Sequence, residues 1–557
     1  MDDANRFDLS QAHMDAVHRH RRVIVNFDAI SADGERFATK DVDELVRWKL
    51  MFADETGSHI DSVWWSWGEG NQAPYPSKIM SCTPGFKQWV EAGFDIVQSF
   101  LNACKKRGLE TFISHRMNTG DSDRGTDARL PIKQAHADWV MRFFPSDHEL
   151  GDLDLVVWNY AVPEVREYKL SVLREVAENY DFDGMELDFS RRPLCLPIGR
   201  QWVNRDHLTQ FIRQVRSMLL EIERRRGRPF LLAARVGENL LGCHYDGMDV
   251  QAWAQQQLVD ILTLGSRSFD IDITDFRRIT AGRNIKLYPC LDDHHATDGY
   301  RWPPIEVLRG VFTNWWRQGA DGMETFNWGH GTAEAAAAIG MYLERGWRVH
   351  RQAYHEMGDY RALKHKDKIF VLQRRGGGGW GGPDPDDWYM PRHWYLCTNM
   401  FAPLPANLDP LGKADTLMTL FIGDDLAAQA GRINSVTLRL LLNDSAGIGY
   451  VPPGASNPSD PPAAGRIERG LLATDGATQR YNCPPVQGIE CRIDVRINNA
   501  LLETPVIEHG WLVFTDLNPR FFAVGDNLIG VVLTPPLSQG VESVSIEKLE
   551  VHVKYNS

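Results

Sequence analysis

Short apolar runs alternate with helix-period stretches over the first 350 residues. Eight of them read as buried strands: VIVNFD (23–28), IDSVWWSW (60–67), LETFISHRMN (109–118), FDGMELDF (182–189), PFLLAARV (229–236), VDILTLGSRS (259–268), IKLYPCL (285–291) and DGMETFNW (321–328). Helices are expected between them. One carries Trp89, Val90, Phe94, Val97, Leu101 and Cys104 and closes at Gly108. A second opens at Pro163, as a first-turn proline, with Val165, Tyr168, Val172, Leu173, Val176 and Tyr180 on one face. In a third, Asp206 is expected to cap a stripe running from Leu208 to Ile222, ended by Gly227. A fourth stripe runs through Val307, Leu308, Val311, Phe312 and Trp315. Eight strands alternating with helices predict an α/β fold, a (β/α)8 TIM barrel. A doubly wound open sheet is the competitor, but no glycine-rich phosphate loop follows the first strand. Strands four and eight share Asp-Gly-Met-Glu (183–186 and 321–324), which suits a half-barrel repeat.

The texture changes near Lys364. After the glycine- and aspartate-rich stretch 374–388 come strand-like runs without long helices: SVTLRLLL, CRIDVRI, GWLVFTDL, NLIGVVL and VSIEKLEVHVKY. These predict an antiparallel β-sandwich, with 446–488 as a long inserted loop. The domain expectation is a barrel over 1–350 and a sandwich over 351–557, packed together because no long Ser/Thr/Pro linker separates them.

Composition narrows the class. Of 557 residues, 43% are apolar and 24% charged, with a net charge of −13. The acidic excess argues against nucleic acid as the main partner. No apolar run reaches the length of a membrane span, and the polar start MDDANRFDLS has no signal-peptide pattern. The compartment stays open between cytoplasmic and a trimmed secreted protein, and oligomeric state is not readable. Eight cysteines form no CxxC pair. Only Cys483 and Cys491 are spaced for a bridge.

In a barrel the chemistry belongs at the C-terminal strand ends. Alternation turns Met185, Leu187 and Phe189 toward the helices, and Glu186, Asp188 and Ser190 toward the axis. Two inward acids are costly unless used or paired. On the same reasoning Asn26 and Asp28 end strand one, Arg116 and Asn118 strand three, and Arg235 strand five, with Glu238 beyond it. Tyr288 and Asp292 end strand seven, and Glu324 and Trp328 strand eight. The run Asp292-Asp293-His294-His295 lacks HxxxH or HxH spacing, so no metal and no cofactor is expected. Trp64, Trp65 and Trp67 crowd the end of strand two, one of the first two packing under a helix. Flat rings suit the C–H faces of sugars, and Asn, Asp and Arg suit their hydroxyls. The expected partner is therefore a carbohydrate. Arg116, Arg191, Arg192 and Arg235 make an anionic sugar one option. Simple neutralisation of the acids is the other.

The segment NYAVPEVREYKLSVLREVAENYDFDGMELDF (159–189) resembles glycoside-hydrolase-like barrel proteins of the family-10 type, with a more distant likeness to the α-amylase clan. GLETFISHRMN and GADGMETFNWG resemble their third and eighth strands. The resemblance spans roughly residues 20–335 and implies glycoside hydrolysis, with Asp188 in the clan's nucleophile position. Glu186 stands where that clan has arginine. A glutamate near the fourth strand end is the acid/base in other barrel glycosidases.

The expectation is a glycoside hydrolase working through paired carboxylates. Glu186 and Asp188, about 6.6 Å apart by strand rise, are poorly placed to flank one bond from opposite faces. A partner is therefore sought in Glu238, Asp292 or Glu324. The substrate-binding set is Asn26, Asp28, Trp65, Trp67, Arg116, Asn118, Arg235, Tyr288 and Trp328. The alternatives are a non-catalytic carbohydrate-binding protein on a degenerate barrel and a metal-dependent sugar isomerase or lyase.

Overall fold

The computed structural model describes residues 7–28, 42–66, 72–83, 86–118, 131–142, 156–293, 300, 303–328, 347–374, 401–444, 492–508, 511–534 and 543–556. All of the predicted loop 374–388 but Arg374, the predicted loop 446–488, His294, His295, Trp67 and the pair Cys483 and Cys491 lie outside them.

Eight parallel strands close into a barrel: β1 (Val23–Asp28), β2 (Ile60–Ser66), β3 (Glu110–Arg116), β4 (Gly184–Asp188), β5 (Leu231–Val236), β6 (Ile261–Leu264), β7 (Lys286–Leu291) and β8 (Met323–Phe326). The seam is β8 beside β1, where Asn26 pairs with Phe326. Helices α1 (Gln11–His18), α2 (Val42–Lys49), α3 (Ile96–Lys106), α4 (Pro163–Asn179), α5 (Arg205–Arg226), α6 (Val250–Gln255), α7 (Ile273–Ile279), α8 (Ile305–Gln318) and α9 (Trp347–Tyr354) accompany them. The proline start of α4 and the left-handed Gly227 closing α5 match the sequence. Two boundaries differ. The expected helix over 86–108 breaks at Gly93 (φ +82°), and Asp95 starts α3 by accepting from the Gln98 amide at 3.1 Å. Asp206 is not the cap of α5. Asn204 holds that position, and Asp206 lies in the first turn, where its charge opposes the helix dipole's positive end.

The barrel interior is built in two halves. Its lower half holds an apolar cluster of Ile24, Trp64, Phe112, Leu231, Ala233, Ile261 and Tyr288 with Val17 of α1, and a buried Arg21–Glu110 pair joined by Ser62 lies below Trp64 and Phe112. Trp64 stacks on Phe112 with centroids 4.4 Å apart. The shared Asp-Gly-Met-Glu now has a steric reason. A Cβ at Gly184 would stand 2.3 Å from the Phe112 ring, and one at Gly322 would stand 2.1 Å from the Arg21 carbonyl. Outside the strands, Met185, Leu187 and Phe189 join the helix-facing core as expected.

The barrel core includes Tyr354, Met357 and Leu363, and a second core begins at Phe370. Around that second core lie two antiparallel sheets. One runs β9 (Lys368–Val371), β18 (Val544–Tyr555), β12 (Ile433–Asp444), β16 (Trp511–Phe514), β15 (Val506–Glu508), with β10 (Ala406–Asn407) also on β18. The other runs β11 (Thr416–Ile422), β17 (Gly525–Leu533), β13 (Ile493–Ile497), β14 (Ala500–Leu501). Their inward residues alternate, as Leu438, Leu440 and Leu442 do on β12. The barrel touches them through α8, where Asn314 donates to the Phe421 carbonyl (2.9 Å) and accepts from the Gly423 amide (2.8 Å). Tyr300 adds a bond to Glu550 at 3.0 Å.

Candidate functional site

Above the apolar plug the inward positions turn polar, and the period-2 alternation of the strands sets which side chains meet. Glu186 of β4 is sealed from solvent. Its carboxylate accepts five hydrogen bonds. Asn26 Nδ2 (2.8 Å), Ser114 Oγ (2.5 Å) and Arg235 Nη2 (3.4 Å) bond Oε2, and Thr263 Oγ1 (2.7 Å) and Arg235 Nε (3.2 Å) bond Oε1. Glu324 of β8 faces it. The same Asn26 Nδ2 donates to Glu324 Oε1 at 3.0 Å, and Arg235 Nη2 does so at 2.5 Å. Strands β1, β3, β4, β5, β6 and β8 thus contribute to one buried layer.

Two residues higher, at the strand ends, lie Asp28, Arg116 and Asp188. Arg116 pairs with Asp28 at 2.6 Å. Asn327, held at φ +62°, locks that corner, donating to Asp28 Oδ2 (3.3 Å) and accepting from the Asp28 amide (2.9 Å). A non-glycine residue in the left-handed region is a strained position of the kind found at functional sites. Asp188 is held through Oδ1, which accepts the Ser190 amide (2.9 Å) and the Arg191 amide (3.2 Å) and lies 4.0 Å from Arg235 Nε. Among the described residues, no hydrogen bond reaches its Oδ2. Burial pushes the Asp188 carboxyl above its usual range. Arg235 opposes this, Glu186 adds to it, and Arg116 opposes it again.

The other candidates separate. Glu238 is buried just beyond β5. Asp292 is buried against Arg267 at 3.1 Å. Asp293 meets His350 of α9 at 2.8 Å. Asn118 serves the backbone, bonding the carbonyls of Trp158 (3.0 Å) and Leu194 (2.7 Å) and the Trp158 amide (2.8 Å). Four residues expected at the mouth lie elsewhere. Trp65 points outward, since its neighbours Trp64 and Ser66 take the inward positions, and it packs between Phe27 (4.3 Å) and Phe100 (4.2 Å). Tyr288 faces inward but one layer too low, in the apolar plug. Trp328 lies in the helix-facing core, stacked on His350 at 4.0 Å. Glu324, sought as a partner at the mouth, lies in the sealed layer below it.

Ser114, Thr263, Asn327 and His350 were not singled out by sequence. The first two sit on the inward face of their strands, so alternation was the available signal. Among the described residues no group of three or more His, Cys, Asp or Glu is placed to hold a metal ion, and no helix is long and apolar enough to cross a membrane.

No known family profile matches the chain, and no curated protein matches its sequence. Solved structures that resemble it include glycoside hydrolases. An alpha-L-fucosidase isoenzyme from Paenibacillus thiaminolyticus is 14% identical with a TM-score of 0.40, covering 63% of this chain, which spans only 51% of the fucosidase. An alpha-amylase from Geobacillus thermoleovorans, complexed with acarbose, is 10% identical with a TM-score of 0.39, over 94% of this chain and 99% of the amylase. A glycoside hydrolase domain from Bordetella bronchiseptica is 10% identical with a TM-score of 0.36, over 57% of this chain and 98% of the domain. At these identities and scores the likeness adds nothing to the geometry of the site.

Proposed function

We propose that the protein is a glycoside hydrolase acting on a neutral sugar at the barrel mouth, with Asp188 as the carboxylate that attacks the anomeric carbon or activates water. The observation that carries this is the setting of Asp188. It is the last inward residue of β4, with Oδ1 fixed by two backbone amides, Arg235 beneath it, and no described donor on Oδ2. A carboxylate fixed in this way is oriented before substrate arrives, as stabilisation of a developing oxocarbenium ion requires. Glu186 is not given a direct role, because its oxygens are saturated and sealed. Among the acids singled out by sequence, Glu324 lies below the mouth and Asp292 is tied to Arg267. With Asp28 paired to Arg116, Glu238, buried just beyond β5, is the remaining candidate for the general acid. The inward arginines favour a neutral substrate, since Arg116 is committed to Asp28 and Arg235 to Glu186 and Glu324.

The test is a panel of neutral and acidic oligosaccharides offered to the whole chain. Turnover of a neutral glycan, with kcat falling in Glu238→Gln, is the expected result. Binding of a glycan without turnover would instead mark a carbohydrate-binding protein on a barrel that has lost its chemistry. The pairing of Asp292 and Asp293 with internal partners favours that second reading.

A further inference from the structure

Beneath the mouth one guanidinium faces three carboxyl groups. Arg235 reaches Glu186 (3.2 Å), Glu324 (2.5 Å) and, at longer range, Asp188 (4.0 Å). The neighbouring charges do not alter the balance. Arg116 on β3 is paired with Asp28 on β1, and Arg267 with Asp292 at the end of β7. Cys290 of β7 lies 3.4 Å from Arg235 Nη1, but burial pushes its thiol well above the usual range, so it carries no charge. Fully ionised, the layer would hold two excess negative charges out of contact with water. Such a group takes up a proton rather than remain ionised.

The hydrogen bonds indicate where the proton resides. Both oxygens of Glu186 are covered by donors, and Asp188 has two amides on Oδ1. Asp188 Oδ2 also has no described donor, but of these three acids only Glu324 has a bare oxygen that is itself fully buried. Its Oε1 accepts from Asn26 and Arg235, while its Oε2 is buried with no donor among the described residues, as is Asn26 Oδ1. A carboxylate buried with one bare oxygen is costly, whereas a carboxylic acid has a hydroxyl there that can itself donate. Burial also pushes Glu324 well above the usual carboxylate range. Arg235 opposes this, Glu186 reinforces it, and Asn26 opposes it.

We propose that Glu324 is a positioning residue that carries a buried proton in the resting protein, leaving Arg235 to balance Glu186 and to stay seated under Asp188. The consequence for Asp188 rests on the glycosidase reading; the proton itself does not. Ionising Glu324 would draw Arg235 toward β8 and leave Asp188 less compensated. The proton makes Glu324 neutral, so glutamine at this position is nearly isosteric and isoelectric with the native state.

Two readouts independent of turnover test this. Infrared spectra of the whole chain at neutral pH are expected to show a protonated-carboxyl C=O stretch that disappears in Glu324→Gln. Should that variant not fold, Glu324→Asp keeps the acid and moves the band. The second readout is stability against pH. A raised carboxyl pKa stabilises the fold fully below the unfolded value of about 4.5, and that contribution is lost as pH rises toward the folded value. Glu324→Gln does not lose it, so its folding equilibrium should gain on wild type by up to about tenfold per pH unit above pH 5. Superimposable carboxyl regions in the spectra of wild type and Glu324→Gln would overturn the proposal. So would a stability deficit in Glu324→Gln that deepens as pH rises, the mark of an ionised partner of Arg235. Either result would leave the catalytic assignment of Asp188 standing.

Discussion

At the N-terminal end of the barrel, His13 of α1 lies between Glu223 (2.7 Å) and Asp260 (3.0 Å), and Arg216 of α5 grips both oxygens of Asp260 at 2.6 and 2.7 Å. Two acids meet two cations. Although burial works against the imidazolium, the hydrogen bonds from Asp260 and Glu223 outweigh it and raise the His13 pKa to about 9. At the other end, three acids meet Arg235 alone. Both networks are buried and both join several elements. The lower one is charge-balanced and fastens α1 and α5 to the barrel floor. The upper one is not balanced, and burial there raises the Asp188 and Glu324 carboxyls above their usual range, the kind of perturbation that clusters at functional sites. Burial and polarity do not distinguish the two networks; their charge balance does.

The comparison can be broken most severely at Arg235. Arg235→Met leaves Glu186 and Asp188 without their counter-ion and Glu324 without a donor, and should cost about 3–5 kcal/mol of barrel stability at neutral pH. The loss should shrink as pH falls toward 4, because the acids protonate. A denaturant titration at several pH values measures it, and a loss independent of pH would mean that the network does not respond as an excess of acid.

At the lower end the pH dependence has the opposite origin. The raised His13 pKa contributes stability that is fully present below about 6.5 and lost as pH rises through about 9. A shift of that size corresponds to about 3 kcal/mol. Wild type should therefore lose stability between pH 6.5 and 9, and His13→Gln should be flat over that range and weaker at pH 6. Thermal melts across the range decide it; parallel curves would show that His13 is not held as an imidazolium.

The smallest effect is expected at the rim. Asn327→Ala removes the bonds to Asp28 and places an alanine at φ +62°, for a loss of about 1–2 kcal/mol. Asn327→Gly relieves the backbone and should recover about half of it, while leaving Asp28 without its clamp. Melting both variants in parallel separates backbone from side chain; equal losses would place the whole effect in the side chain.

Much of this layout was legible in the sequence because β-strands alternate with a period of two. That rule alone put Glu186, Asp188, Asn26, Asp28, Arg116, Arg235 and Glu324 on the inward face. It gives the face and not the height. Tyr288 and Cys290 share the inward side of β7, yet one belongs to the apolar plug and the other touches Arg235. Only the registers of all eight strands distinguish those levels. The saturation of Glu186 was hidden for the same reason, since its donors come from β1, β3, β5 and β6. Trp65 and Trp328 misled because an aromatic residue at a strand end reads equally as a sugar platform or as packing under a helix. The echo of Asp-Gly-Met-Glu was visible, but the reason for its glycines was not: Phe112 and the Arg21 carbonyl approach from distant parts of the chain.

The central claim is that the chemistry belongs to Asp188, above the sealed layer. The direct measurement is kcat for Asp188→Asn against wild type on the glycan that wild type turns over best. The side chain keeps its shape and its Oδ1 contacts but loses the charge, so kcat should fall at least about a thousandfold, on the order of 4 kcal/mol of transition-state stabilisation. Turnover within a few-fold of wild type, in a variant that melts normally, would contradict the account and move the chemistry to another acid at the mouth.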